Sequence, residues 1–302
     1  MTIRYDNRVA IVTGAGSGLG RSHALLLAER GAKVLVNDLG GTVDGSGGSL
    51  TAAQKVVEEI QAKGGVAAAN GDSVADFAGA QRMVQQAADL WGRVDIVVNN
   101  AGILRDKTLA KMEMADFEKV VQVHFLGSAY VTKAAWPLMQ QQNYGRVVMT
   151  SSNSGIYGNF GQSNYGGAKL AVVGMVNALK HEGAKYGILV NAIAPVAATR
   201  MTESLLDAKA LAALKPELVS PMVAWMCSEA CDVTGHVYEA GAGHYARVQL
   251  VEAPGVSFDP AQGVSIEMIA ENIGKISDMN GATGFNSSSD NVVKVVRHAL
   301  GG

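Results

Sequence analysis

The chain has 302 residues, 48% hydrophobic and 17% charged, with a formal net charge of -2. That balance can bury a sizeable core, excludes a disordered or strongly solvating sequence, and offers no broad basic field for nucleic acid or an anionic membrane. No apolar run reaches membrane-spanning length, and Cys227 and Cys231 have no partners at zinc-finger spacing, so free thiols and no metal are expected.

In chain order, residues 9–12 form an apolar run closed by glycines, and residues 21–30 carry Leu and Ala at helical spacing. Strand-like runs recur at 34–36, 94–98, 146–149 and 188–193, separated by long helical patterns. Runs this continuously apolar have no wet face, which predicts an α/β fold: a doubly wound, Rossmann-like parallel sheet with helices on both sides. Residues 40–49 (GGTVDGSGGS) read as a mobile surface loop inserted after the second strand. Beyond Val248 come a Pro-Gly break, a helical pattern over 265–279, a polar NSSSDN run and a final short helix. Residues 1–247 are therefore read as one domain. Residues 248–302 are read as a C-terminal helical extension, packed on that domain or on a partner subunit. The N-terminus has no signal-peptide core and the terminal RHALGG is not an SKL-type address, so a cytoplasmic protein is expected.

Residues 13–20 read TGAGSGLG, placing Gly14, Gly18 and Gly20 between a strand and a helix, with Ser17 and Leu19 in the same turn. Glycines serve where the chain turns sharply and where backbone amides must approach a pyrophosphate, although such turns also occur for packing alone. Asp38 follows the second strand, eighteen residues after Gly20, where a carboxylate can accept from a ribose 2′-hydroxyl and repel a 2′-phosphate. Its neighbours Leu39, Gly40 and Gly41 include no cation, so NAD is expected over NADP. A strand-end turn aspartate is the plainer reading of Asp38. Asp72 and Ser73, after the third strand, are placed to bracket an adenine. Tyr165 and Lys169 stand four apart and share a helix face, where an ammonium favours the phenolate, although such a pair also arises by chance. Ser152, thirteen residues earlier, can reach the same substrate oxygen.

With TGAGSGLG, the string Asn99-Asn100-Ala101-Gly102, Ser152, Tyr165 and Lys169, the chain resembles the short-chain dehydrogenase/reductase family up to about residue 244. The resemblance implies hydride exchange between NAD and a secondary alcohol or ketone. Tyr165 would be the general acid/base, Ser152 would orient the substrate oxygen, and Lys169 would hold the ribose and lower the tyrosine's pKa. Asn99, Ala101, Gly102, Pro195 and Ala198 join the cofactor residues on the same ground. The family commonly has an asparagine in a V-N-x-x-G context that holds a water of the proton relay, and this chain has His124 there. That imidazole either carries the relay or is a satisfied helix histidine.

The strings NDLGG, VVQVHFLGS and SGIYGNFGQSNY further resemble the dehydrogenase units of the type 2 peroxisomal multifunctional enzymes. This implies oxidation of (3R)-3-hydroxyacyl-CoA to 3-oxoacyl-CoA by a homodimer or higher homo-oligomer, with an acyl-CoA as its small-molecule partner. The apolar stretch 196–221 would receive the acyl chain, although its Met201, Leu205 and Leu206 read equally as helix core, and Arg105, Lys107 and Arg200 are candidates for the CoA phosphates. Hydroxysteroids, polyols and 3-oxoacyl carrier-protein thioesters present the same reacting group. A non-catalytic NAD sensor or scaffold is a more remote alternative.

Overall fold

The computed structural model describes residues 2–197 and 213–299. The chain divides into two compact units, Met1–Arg247 and Val248–Gly302.

In the first unit, the apolar runs become strands β1 (Val9–Thr13), β2 (Lys33–Asn37), β3 (Val66–Asn70), β4 (Ile96–Asn99), β5 (Gly145–Thr150), β6 (Ile188–Pro195) and β7 (Val237–Gly241). They pair in parallel. β1, β4 and β5 are buried along their whole length, as strands covered on both faces must be. β8 (His244–Val248) follows β7 after Ala242 and Gly243, both at positive φ, the geometry of a two-residue type I′ hairpin turn. The order is β3-β2-β1-β4-β5-β6-β7-β8. The direction of winding reverses between β1 and β4, and in open α/β sheets ligands bind beyond the carboxyl ends of the strands at such a crevice.

The helices are α1 (Gly18–Glu29), α2 (Thr51–Ala62), α3 (Phe77–Trp91), α4 (Met114–Val121), α5 (Gly127–Gln142), α6 (Asn153–Ile156), α7 (Ser163–Gly183) and α8 (Ser220–Cys227). Leu27, Val56, Ile60 and Met226 bring α1, α2 and α8 onto one face of the sheet. Met83, Met139 and Val172 bury α3, α5 and α7 on the other. Truncating one of these to Ala costs about 2–5 kcal/mol. Cys227 and Cys231 are free and buried, Cys227 as the last residue of α8 and Cys231 beyond it.

The second unit contains α9 (Ile266–Ile276), capped by the Ser265 hydroxyl on the Met268 amide, and α10 (Ser288–Ala299). An antiparallel bridge joins Glu252 to Thr283, and Glu252 also accepts from Lys294 at 2.8 Å and Asn291 at 2.7 Å. Ile266, Ile269 and Ile273 on α9, and Val292, Val293, Val295 and Val296 on α10, are exposed.

Candidate active site

The turn after β1 is set by close approaches. Gly14 sits at φ +62°, and a Cβ there would lie 2.7 Å from the Ala101 Cα. Gly20 fits only because it lacks a side chain against the Gly14 carbonyl. Asn100 stitches the loops after β1 and β4 together, donating from Nδ2 to the carbonyls of Thr13 at 3.0 Å and Gly14 at 3.1 Å. The N-terminus of α1 therefore opens into the crevice, with no acidic side chain in its first turn to compete for an anion. Asp38 stands beside it. Its Oδ2 accepts the Gly16 amide at 2.7 Å and its Oδ1 the Gly40 amide at 2.6 Å. Beyond β3, the Asp72 carboxylate accepts from Arg82 at 2.6 and 2.9 Å, and its carbonyl from Asn37 at 2.8 Å.

The catalytic candidates lie on α6 and α7. Ser152 caps α6, accepting the Ser154 amide at 3.2 Å. Gly155 lets α6 sit against α7, because a Cβ there would be 2.8 Å from the Lys169 Cβ. Ser152 is thus brought beside Tyr165, where its hydroxyl favours the phenolate. Lys169 is fully buried, its Nζ donating to the Thr150 carbonyl at 2.6 Å and standing 5.6 Å from the Tyr165 ring centroid. Burial lowers its pKa to about 7, because the apolar surroundings penalise the ammonium. Burial likewise pushes the Tyr165 phenol above its usual value. The Ser152 hydrogen bond pulls it down, and the Asp106 charge pushes it up.

His124 sits in a π-turn, Gln122–Leu126, between α4 and α5, a distortion often found at functional sites. Its ring meets Tyr165 edge-on, centroids 5.1 Å apart. Nε2 lies 3.0 Å from the Ile103 amide and 2.8 Å from the Ile103 carbonyl. Either ring tautomer keeps Nε2 on Ile103, as acceptor from its amide or donor to its carbonyl, and leaves Nδ1 without a partner. Burial, and after it the Lys169 charge, holds this imidazole well below its usual pKa, so it stays neutral.

The cleft has a volume of about 400 Å³, within the range of small-molecule sites. It gathers Gly14, Ser17, Gly18, Leu19, Asp38, Asp72, Ser73, Ala101, Gly102, His124, Ser152, Tyr165, Lys169 and Pro195. Gly20 and Asn99 do not line it. Gly20 acts through the turn, and Asn99 is buried behind the wall, its Nδ2 on Thr132 at 2.9 Å. Asn100, Ile103 and Thr150 line the cleft, as do Thr42, Val43 and Gly45 of the 40–49 loop. Sequence reasoning passed over these, although Asn100 stands inside the quoted NNAG string. Ala198, Arg200, Met201, Leu205 and Leu206 lie outside the described residues. Arg105 is engaged with Asp116 at 2.7 Å and with the Asp44 carbonyl at 2.8 Å, whereas Lys107 is exposed.

A dinucleotide fits this chemistry. Thr150 Oγ1, His124 Nδ1 and Asn153 Oδ1 are buried without a hydrogen-bond partner, and Thr150 and His124 line the cleft. Unmet buried polar atoms in a cleft call for a polar ligand.

A parallel sheet with this switch point, a glycine turn facing a helix N-terminus, and Ser152 and Tyr165 beside a buried Lys169 define a dinucleotide-binding oxidoreductase. The chain belongs to the short chain dehydrogenase family, whose sequence profile matches residues 8–210. It is 49% identical over 282 residues to the peroxisomal multifunctional enzyme type 2 of Drosophila melanogaster, a match covering 93% of this chain and 47% of that one. The solved structure of that full-length enzyme superposes with a TM-score of 0.84 at 39% identity, covering 99% of this chain and 50% of that one. The chain thus spans about half the length of the multifunctional enzyme it matches. A putative short-chain type dehydrogenase/reductase of Mycobacterium tuberculosis is 50% identical, covering 92% of this chain and 96% of that one. A 7α-hydroxysteroid dehydrogenase solved with NADH and 7-oxoglycochenodeoxycholic acid superposes with a TM-score of 0.72 at 27% identity, covering 80% of this chain and 95% of that one. The protein is accordingly an oxidoreductase that uses a nicotinamide dinucleotide.

Proposed function

We propose that the chain oxidises (3R)-3-hydroxyacyl-CoA to 3-oxoacyl-CoA with NAD. The observation that carries the chemistry is the contact of Ser152 with Tyr165 beside the buried Lys169, in the same cleft as Asp38. The likeness to the multifunctional enzyme supports the acyl-CoA substrate.

In this scheme Ser152 donates to the substrate oxygen and fixes its place, and the Tyr165 oxygen takes the hydroxyl proton. Lys169, against the Thr150 carbonyl, would hold a ribose hydroxyl of the cofactor. The bound nicotinamide supplies the hydride acceptor and a positive charge. That charge would draw down a phenol which this chain alone holds high. The unpaired His124 Nδ1 is the ring atom open to the proton path, a positioning role that needs no imidazolium. Asp38 favours a free ribose hydroxyl, hence NAD.

For the assembly, we propose a homodimer in which the exposed apolar residues of α9 and α10 are covered by the main domain or by the twin subunit. A reducing compartment such as the cytoplasm suits the free thiols of Cys227 and Cys231. The test of function compares both epimers of one 3-hydroxyacyl-CoA with a hydroxysteroid and a polyol, following NADH. Turnover of the 3R epimer with refusal of the 3S is expected. Equal rates for the epimers, or activity on the steroid alone, overturns the acyl-CoA reading.

A further inference from the structure

Loop 39–49 closes on itself. The Ser49 amide donates to the Leu39 carbonyl at 2.8 Å and the Thr42 amide to the Ser46 carbonyl at 2.9 Å. At its tip the Asp44 carboxylate accepts from the Ser46 hydroxyl at 2.8 Å and the Ser46 amide at 3.1 Å. These bonds stiffen a segment whose composition alone suggests slack.

The loop also spans the cleft. It leaves the wall that carries Asp38 and lands on residues 103–105, which follow Gly102 on the opposite wall. There the Leu104 amide donates to the Val43 carbonyl at 3.0 Å. Gly45, at φ +83°, lies so close that a Cβ would be 2.9 Å from the Ile103 Cγ2. Thr42, Val43 and Gly45 face the same cavity as Gly18 and Asp38, so the loop forms part of the dinucleotide cleft.

One side chain fastens the landing. Arg105 donates from Nε to the Asp44 carbonyl at 2.8 Å and from Nη1 to the Asp116 carboxylate on α4 at 2.7 Å. The guanidinium fork can reach both partners at once, whereas an ammonium on a single stem cannot hold the same pair. The backbone of Arg105 is fixed separately. Its carbonyl accepts from the Asn164 Nδ2 at 3.0 Å, and the fully buried Asn164 in turn accepts the Tyr165 amide at 2.7 Å. The anchor is therefore tied to the first turn of the catalytic helix, and the latch to the cofactor loop.

We propose that Arg105 is a positioning residue that latches loop 39–49 across the bound dinucleotide, so that cofactor exchange requires this latch to open. The inference rests on dinucleotide binding alone and is independent of the substrate oxidised.

Two measurements with NADH test it: its dissociation rate by stopped-flow displacement, and amide hydrogen exchange of residues 40–49 with and without it. In the unaltered protein NADH should slow exchange across the loop. Arg105→Gln keeps the backbone tie to Asn164 and loses the fork. It should abolish that protection and speed NADH release about tenfold, the worth of about one hydrogen bond to a charged group. Arg105→Lys should fall between. Gly45→Ala leaves Arg105 intact but sets a methyl against Ile103, and should also speed release. The double variant should release NADH no faster than the quicker single one, since both act on one latch. Unchanged release in Gly45→Ala and Arg105→Gln, or loop protection that survives Arg105→Gln, overturns the proposal. If Arg105→Gln does not fold, Arg105→Lys decides it, because it keeps the charge and loses the fork: unchanged NADH release and unchanged loop protection in that variant overturn the proposal.

Discussion

At the amino end of the sheet, Asp95 is fully buried, and its carboxylate accepts from Arg8 at 2.9 Å, from Arg93 at 2.6 and 2.8 Å and from the Val9 amide at 2.9 Å. Arg146, at the start of β5, gives its protons to the carbonyls of Ser228, Gly145 and Gly187 at 2.9–3.1 Å. Arg8 and Arg146 both lie over the Tyr144 ring, 3.6 and 4.4 Å from its centroid, and among the buried side chains of the described residues at this end only the Tyr144 hydroxyl lacks a partner. At the carboxyl end, Asn99 Oδ1, Thr150 Oγ1, His124 Nδ1 and Asn153 Oδ1 are buried with none. One end of the same strands is completed by the chain itself. The other keeps Thr150 Oγ1 and His124 Nδ1 on the cleft, where their pairing falls to a ligand, a cost to stability that a binding site carries and a purely structural end does not.

The largest expected effect tests the unfinished end. Tyr165→Phe should lower kcat by about 10²- to 10⁴-fold, the usual worth of a positioned acid/base, while NADH affinity and thermal midpoint stay near those of the parent. Near-normal turnover would remove Tyr165 from the chemistry. The complementary change is Asp95→Ala, which leaves Arg8 and Arg93 without their buried acceptor. A broken buried ion pair costs several kcal/mol, but both arginines are partly exposed, so a loss of about 2–4 kcal/mol is expected by urea denaturation. The folded fraction should keep its kcat. A large loss of kcat in folded Asp95→Ala would end the division of labour between the two ends.

The sequence showed the strands and the Ser152, Tyr165 and Lys169 group readily, because continuous apolar runs and an i, i+4 pair are local signals. Three features were not legible. Loop 40–49 reads as slack from its glycines, yet it is tied down by Arg105 and Leu104, sixty residues away in the chain. The π-turn at His124 leaves no mark on periodicity, and the neutrality of that ring follows from burial beside Lys169. Asn99 and Asn100 look alike as a pair. Strand alternation sends the first behind the wall and the second into the cleft.

Cofactor choice is the next smaller effect, and it sharpens what the unfinished end is shaped to receive. Asp38 has backbone amides on both oxygens, which fixes a negative charge at the cleft. Replacing Asp38 with Ser and Leu39 with Arg should shift the kcat/KM ratio toward NADP by at least about tenfold, since a repelling charge is exchanged for a pairing one. The NAD KM should rise too, because Gly16 and Gly40 lose their acceptor. A parent enzyme that already favours NADP would refute the role given to Asp38.

The smallest effect concerns a group between these extremes. His23 is fully buried between α1 and α8, yet its Nδ1 meets only the Ser220 hydroxyl at 2.8 Å, which in turn meets Ser22 at 2.6 Å. With no carboxylate to hold a charged ring, burial lowers its pKa from 6.5 to about 3. The folded value lies below the unfolded one, so the unfolded chain takes up the proton first. The stability is full above about pH 6.5 and is lost as pH falls toward 3, by about 1–2 kcal/mol between pH 6.5 and about pH 5. His124 and His236 are lowered too and contribute with the same sign, so His23→Gln should reduce this slope without abolishing it. Urea midpoints taken across that window, for the parent and for His23→Gln, measure the difference. Coincident slopes would mean that His23 gains a proton in the folded protein as easily as in the unfolded chain. A hydroxyl pair would then serve a buried histidine as well as Arg8 and Arg93 serve Asp95.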